Sequence, residues 1–270
     1  MNPKLPLAKG GSFCLARRGV IYSTIMAYAR TPGKLFEPGK PFTLSRSKLE
    51  LFINCPRCFY FDRRLGVSQV SGFPFTLNNA VDALLKKEFD SHRAVGTAHP
   101  LMRAYGIAAR PFAHEKIDVW RDTKRGISYF HEPTKLTIFG AIDDVWINDV
   151  GELVIVDYKA TSTTAAVTLD ADYRMAYKRQ MEIYQWLFRR NGFTVSPTGY
   201  FVYANGKKDR AAFDGKLEFD ITLLPYVGND GWVEEAIVRA HECLMNDALP
   251  RPIRTCEWCT YRTKAAAYEG

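Results

Sequence analysis

The chain contains no apolar run approaching the roughly 18 residues of a membrane-spanning helix, which excludes a helical membrane anchor within its 270 residues. It also has no G-x-x-x-x-G-K-[ST] phosphate loop, so it is not an ATP-driven translocase by that route. The apolar patch Val20–Tyr28 is interrupted by Ser23 and Thr24 and is followed by no convincing cleavage site, which argues against a secretory signal. No segment repeats internally. Histidine is scarce: His92, His99, His114 and His131 are scattered without metal-ligand spacing and read as structural or solvent-facing. Cysteine is scarce as well, with six residues in all. Without a secretory segment the expected location is the cytoplasm, where stable disulfides are not expected.

What is present suffices for one sizeable core, with hydrophobic residues making up 47% of the sequence. The formal charge of +8 suggests a polyanionic partner, but its distribution weakens that inference. Residues 1–42 carry seven basic side chains against Glu37 alone, a net of +6, which leaves +2 for residues 43–270. The leader 1–42 therefore reads as a flexible basic arm or an overextended start of the reading frame, and no chemistry is assigned to it. Residues 43–270 are expected to form a single domain, whose basic surface must come from local patches.

Two runs rich in β-branched and aromatic residues flank Asn148–Gly151 and predict adjacent strands joined by a hairpin. The first carries Gly140 to Asp143 and the second Val154 to Lys159. A period of two sends Ile155, Asp157 and Lys159 to one face and Val154, Val156 and Tyr158 to the other. Charged groups at the end of an apolar strand need a partner or a ligand. Asp143 and Asp157 are hard oxygen donors suited to Mg2+ or Mn2+. A solvated surface ion pair between Asp157 and Lys159 is the competing reading.

Helical spacing marks four further segments. One begins near Thr43–Ser45, capped by Ser45 or Ser47, and runs through Leu49, Phe52 and Ile53. A second, begun by Asn78 or Asn79, buries Val81, Leu84, Leu85 and Phe89 and sets Asp82 one turn from Lys86. A third spans about Asp172 to Arg190, buries Met181, Tyr184, Leu187 and Phe188, and places Gln180 and Tyr184 on one face. The fourth is Trp232 to Met245, followed by the breakers Pro250 and Pro252. Residues 93–111 look irregular. Segments Glu115–Trp120, Gly126–Phe130, Tyr200–Tyr203 and Leu217–Ile221 read as strands, with a turn at Asn205 and Gly206. Thr161–Thr164 could touch phosphate through hydroxyls or amides. Lys178, Arg179, Arg189 and Arg190 suit a backbone track or an ordinary solvated face. The order of elements predicts an α/β protein with a central mixed β-sheet flanked by helices.

Three of these elements, in order, resemble the RecB-like branch of the PD-(D/E)xK nuclease superfamily: Gly140 to Asp143 as G-x-x-D, Asp157-Tyr158-Lys159 as D-x-K, and Gln180 to Tyr184 as Q-x-x-x-Y. The resemblance implies a restriction-endonuclease-like core and divalent-metal-dependent hydrolysis of DNA phosphodiesters. Asp143, Asp157 and the carbonyl of Tyr158 would hold the ions, and Lys159 would position water. Gln180 and Tyr184 would orient the site and contact DNA. In that branch the helix at Asp82 often supplies a histidine or acid to the metal. Asp82 is the matching position here and Glu88 the reserve; a solvated helix-face acid is the alternative. Implied partners are DNA, single-stranded or with free ends, and a helicase or similar nucleic-acid-processing protein. A catalytically weakened DNA-binding scaffold is the second functional reading.

Cys55-Pro-Arg-Cys58 and Cys256-Glu-Trp-Cys259 form two C-x-x-C pairs that could together supply four thiolates, for structural Zn2+ or an iron–sulfur cluster. Metal-free thiols are the remaining alternative. Some RecB-like nucleases close the domain with a four-iron four-sulfur cluster, and the resemblance favours that cofactor, clamping the N- and C-terminal parts of the fold. Their usual pattern has one cysteine before the core and three after it. This chain has two and two, with none after Cys259. Cys14 and Cys243 read as ordinary thiols.

Overall fold

Strand periodicity and helix amphipathicity account for most of the architecture of the computed structural model, which describes residues 35–70, 72, 76–171 and 174–269. In chain order the elements are β1 (Phe42–Ser45), α1 (Arg46–Asn54), α2 (Pro56–Arg63), α3 (Thr76–Val95), α4 (Pro100–Ala104), β2 (Ala109–Pro111) and α5 (Ile117–Arg121). They continue with β3 (Ile127–His131), β4 (Leu136–Gly140), β5 (Asp144–Asn148), β6 (Leu153–Thr161), α6 (Met175–Arg190), β7 (Thr198–Gly206), β8 (Phe219–Val227), α7 (Val233–Met245) and α8 (Glu257–Glu269). All belong to the compact unit Pro32–Gly270. Among the described residues no helix is long and apolar enough to cross a membrane.

β6 is covered on both faces, and its alternation shows how. Leu153 and Ile155 enter a core with Met181, Leu187 and Phe188 of α6. Val154, Val156 and Tyr158 enter a second core with Leu85 and Phe89 of α3 and Trp146 of β5. Side chains that alternate along one strand thus serve two different layers. Phe89 strengthens the second layer by stacking between Trp146, at 5.5 Å, and His99, at 4.2 Å between ring centroids.

The sheet containing β6 has the order β2-β5-β6-β7-β8. β6 and β7 are parallel, joined by the α6 crossover, and place Asp157 beside Phe201 and Lys159 beside Tyr203. The other pairs in that sheet are antiparallel, including the expected β5–β6 hairpin. The fold is the expected mixed α/β with a mixed sheet flanked by helices, and β1, β4 and β3 add a separate three-stranded sheet. The Gly140–Asp143 segment, expected as continuous strand, is where the chain leaves one sheet and enters the other. β4 ends at Gly140, β5 starts at Asp144, and Asp143 lies in the junction.

Other expectations change for local reasons. Glu115–Trp120 contributes to a short helix rather than a strand, with Ile117 and buried Trp120 one turn apart. Leu84 is exposed, because Leu85 and Phe89 define the buried stripe of α3, which starts at Thr76 rather than at Asn78 or Asn79. Ser45 stands at the N-cap of α1 but its hydroxyl meets that of Ser47 at 3.0 Å instead of capping an amide. Residues 93–111 contain α4 and β2, Asn205 and Gly206 end β7 rather than turning, and α8 had no counterpart in the sequence reading. The body also takes in part of the leader: Leu35 donates its amide to the Arg64 carbonyl at 2.7 Å, and Phe36 is buried in the core. Residues 1–34, with Cys14, and Asp172 lie outside the described residues.

Close packing explains why residue 140 is glycine. A Cβ there would meet Tyr184 Cε1 at 2.5 Å, so α6 can approach β4 only in its absence. Gly140→Ala is therefore expected to destabilise the protein by about 1–3 kcal/mol through overpacking, measured as a lowered urea midpoint with an unchanged m-value.

Candidate active site

Three elements bring charge to one place. Asp157, on β6, has no exposed surface; its Oδ1 accepts a hydrogen bond of 2.8 Å from Gln180 Nε2 on α6. The same amide donates to Tyr184 Oη at 3.2 Å. Two residues along β6, Lys159 ion-pairs with Asp157 Oδ2 and lies over the Tyr177 ring at 4.7 Å. Oδ2 accepts no hydrogen bond of normal geometry beside that ion pair. Asp143, in the junction between the sheets, accepts the Tyr158 amide at 2.9 Å. From α3, Lys86 reaches Asp82 at 2.8 Å and Asp143 at 3.6 Å.

Asp82, Lys86, Asp143 and Lys159 line a single cleft of about 330 Å3, and Asp157 lies beneath Lys159. Three carboxylates thus face two ammonium groups, and the Arg121 guanidinium also lines the cleft. Burial, reinforced by Asp143 and opposed by Lys159, pushes Asp157 up to about 6. Burial and then Asp143 also push Asp82 up, against Lys86. Burial alone would lower Lys159, but Asp157 and Asp143 outweigh it and hold the ammonium above its ordinary value. The hard oxygen donors Asp82, Asp143 and Asp157 form a set that fits a divalent cation.

Asp144, next in sequence to Asp143, has a different environment. It is fully buried and accepts hydrogen bonds from Arg93, from Arg121 at 2.9 Å and from the Tyr158 hydroxyl at 2.7 Å. Arg121 also grips both Asp90 oxygens, at 3.0 and 2.9 Å, and donates Nε to the Asp143 carbonyl at 3.0 Å. This network ties α3, α5 and the β5–β6 pair together and fixes the backbone from which Asp143 projects. The sequence reading missed it, although the Asp143-Asp144 doublet is visible. It also missed the contact of Lys86 with Asp143, having paired Lys86 only with Asp82.

Several expected surface roles do not survive the geometry. Gln180 and Tyr184 are buried behind the carboxylates, so they can orient the site but offer no surface to DNA. Glu88 points away from the cleft and meets His99 at 2.9 Å. Three members of the basic run are engaged elsewhere: Arg179 with Glu50 at 2.6 Å, Arg189 with Asp230 at 2.6 Å and Arg190 with Glu234 at 2.7 Å. The Ser162 hydroxyl donates to the Gly206 carbonyl at 2.9 Å and the Thr163 amide to Asn205 at 2.9 Å, stitching β6 to β7. His131 is buried between Thr134 and Glu234, at 2.8 and 2.7 Å.

The four C-x-x-C cysteines converge although they come from opposite ends of the described chain. Cys55 precedes α2, Pro56 starts that helix, and Cys58 lies one turn in. Cys256 immediately precedes α8, and Cys259 lies in its first turn. Their sulfurs all lie within 4.8 Å of one another, forming a possible metal site that joins the N- and C-terminal parts. Cys55, Cys58, Cys243, Cys256 and Cys259 are all free thiols. Cys243 stands apart, its Sγ 3.9 Å from the Pro56 carbonyl, and burial pushes its thiol up to about 11.

The two neighbouring acids should respond differently to substitution. Asp144→Ala leaves Arg93 and Arg121 without their buried counter-ion and is expected to cost about 3–5 kcal/mol. Asp143→Asn, at a partly exposed position that keeps an acceptor for the Tyr158 amide, is expected to cost no more than about 1 kcal/mol. Chemical denaturation of both variants without added metal checks the contrast.

No curated protein matches the chain. A solved structure, that of SSO0001, is similar over 82% of this chain and 84% of its own, with 21% sequence identity and a TM-score of 0.40. The sequence profile of the PD-(D/E)XK nuclease superfamily matches residues 75–263, a span that begins just before α3 and takes in every acid and lysine of the cleft. The chain therefore belongs to the PD-(D/E)XK nuclease superfamily.

Proposed function

We propose that the protein is a divalent-metal-dependent nuclease that hydrolyses DNA phosphodiester bonds. The observation that carries this reading is the convergence of Asp82, Asp143, Lys86 and Lys159 on one cleft, above a buried Asp157 whose oxygen lacks a normal hydrogen bond. Asp143, Asp157 and the Tyr158 carbonyl, with Asp82 as a further ligand, would hold Mg2+ or Mn2+. When bound, such an ion polarises the phosphodiester and acidifies a coordinated water. Lys159 is the group placed to orient the attacking water and to neutralise charge growing on the phosphate. Gln180 and, through it, Tyr184 are positioning residues, because they hold the Asp157 carboxylate in line.

Substrate attraction would come from local patches and not from overall charge, since Arg179, Arg189 and Arg190 of α6 are occupied in ion pairs. DNA that is single-stranded or carries free ends is the proposed substrate, with a helicase or another nucleic-acid-processing protein as partner.

Labelled single- and double-stranded DNA incubated with the purified protein tests the assignment. Cleavage is expected with Mg2+ or Mn2+, none with chelator, and a loss of about 10²–10⁴-fold in Lys159→Ala and Asp157→Ala. Equal cleavage by all three proteins would reject it, and DNA binding without cleavage by the wild type would favour the scaffold reading.

Two quantities expose the electrostatics directly. Lys86→Met removes an ammonium that competes for Asp82 and Asp143, so the Mn2+ concentration giving half-maximal binding should fall. Asp157 takes up a proton near pH 6, so Mn2+ affinity should weaken as pH drops through that value. The sign for folding follows. A carboxyl whose folded pKa is raised stabilises the metal-free protein below its ordinary pKa, and loses that contribution as pH rises through about 6. Mn2+ should then raise the Tm more at pH 7.5 than at pH 5, as read by thermal unfolding.

A further inference from the structure

The four thiols differ from the acidic cleft in both chemistry and construction. Their Sγ atoms are separated by 3.7 Å for Cys55–Cys259, 3.6 Å for Cys58–Cys256 and 3.6 Å for Cys58–Cys259. No pair exceeds 4.8 Å. None is near the 2.05 Å or so of a disulfide.

These spacings discriminate among metals. Four thiolates bound to one tetrahedral ion through bonds of about 2.3 Å have sulfurs about 3.8 Å apart along every edge. In a four-iron four-sulfur cube each thiolate binds its own corner iron, and the ligand sulfurs are pushed outward to about 6 Å from one another. The cage formed by Cys55, Cys58, Cys256 and Cys259 is too small for that inorganic core. A two-iron cluster fits no better, because it would split the thiolates into two short pairs separated by a long gap. Here Cys58 approaches both Cys256 and Cys259, and Cys259 also approaches Cys55.

We propose that this centre holds a single zinc ion in closed four-thiolate coordination, and that the four-iron cluster suggested by the RecB-like resemblance is absent. The two-plus-two cysteine pattern agrees. Cys58 stands where that pattern has no ligand, and the sequence after Cys259 has no cysteine to supply the usual last one. Zinc favours closed tetrahedral thiolate sites and has no redox chemistry, so the centre is structural. Its mechanical task is visible in α8, where Cys259 is the one buried residue of the helix and Trp258, Tyr261 and Tyr268 are exposed. The further attachments include Arg262, whose guanidinium lies 3.8 Å above the Phe61 ring. The ion supplies the cohesion that apolar burial does not. The inference is independent of the cleavage reaction, because none of its residues lines the acidic cleft.

The test is metal and sulfide analysis of the full chain purified anaerobically, with its visible spectrum. Expected are about one zinc per chain, no acid-labile sulfide and no colour, and a Cys58→Ser variant that loses the zinc. Cobalt replacing the zinc should give the strong visible bands of a tetrahedral thiolate site. In the zinc-loaded wild type, a strong zinc chelator should make the segment leading into α8 cleavable by protease while the rest stays protected. Stoichiometric iron and sulfide with a broad band near about 400 nm would overturn the proposal. So would one iron without sulfide, or a folded protein that binds no metal. Because the decisive measurement is made on the unmodified protein, failure of the serine variant to fold does not blunt it.

Discussion

A carboxylate without solvent contact governs the geometry of this protein. Asp157 must be compensated where it is buried, and a carboxylate in an apolar interior is costly unless paired and hydrogen-bonded. One compensation comes from Lys159 on the same strand and the other from Gln180 on the crossover helix. Gln180 reaches it because α6 packs closely against β4, a proximity that a side chain at position 140 would prevent. The parallel β6–α6–β7 unit, the glycine and the buried amide are therefore parts of one solution to one electrostatic problem.

The acids around it divide into two kinds. Asp144 is saturated by Arg93, Arg121 and Tyr158 and acts as a rivet between helices and sheet. Asp82, Asp143 and Asp157 crowd around two lysines, and burial first, then the neighbouring Asp143 carboxylate, raises Asp82 and Asp157. Adjacent residues 143 and 144 reach these opposite fates because the chain changes sheets between β4 and β5.

Much of this was legible in the sequence, and the gaps have physical causes. Alternation along Val154–Lys159 is a local property and separated the two faces of β6 correctly. The long amphipathic stretches likewise marked α3, α6 and α7. The grouping of Asp143, Asp157, Lys159 and Gln180 came from motif order, and the structure brings all four together. The division into two sheets was invisible, since nothing in the alternation of Leu136–Asn148 says which partner each half will find. Short α5 was mistaken for a strand because five residues hold barely one helical turn. The partners of Arg179, Arg189 and Arg190 are acids 41 to 129 residues away, and no local pattern encodes them.

The cysteine centre has a topological consequence. A metal held there would join Cys55 to Cys259 and close a ring of on the order of 200 residues, with the acidic cleft inside the loop. Cys256 and Cys259 follow every described strand in the sequence, so four-thiolate closure waits until those strands have been synthesised. Premature capture of metal by Cys55 and Cys58 would be incomplete, two ligands short.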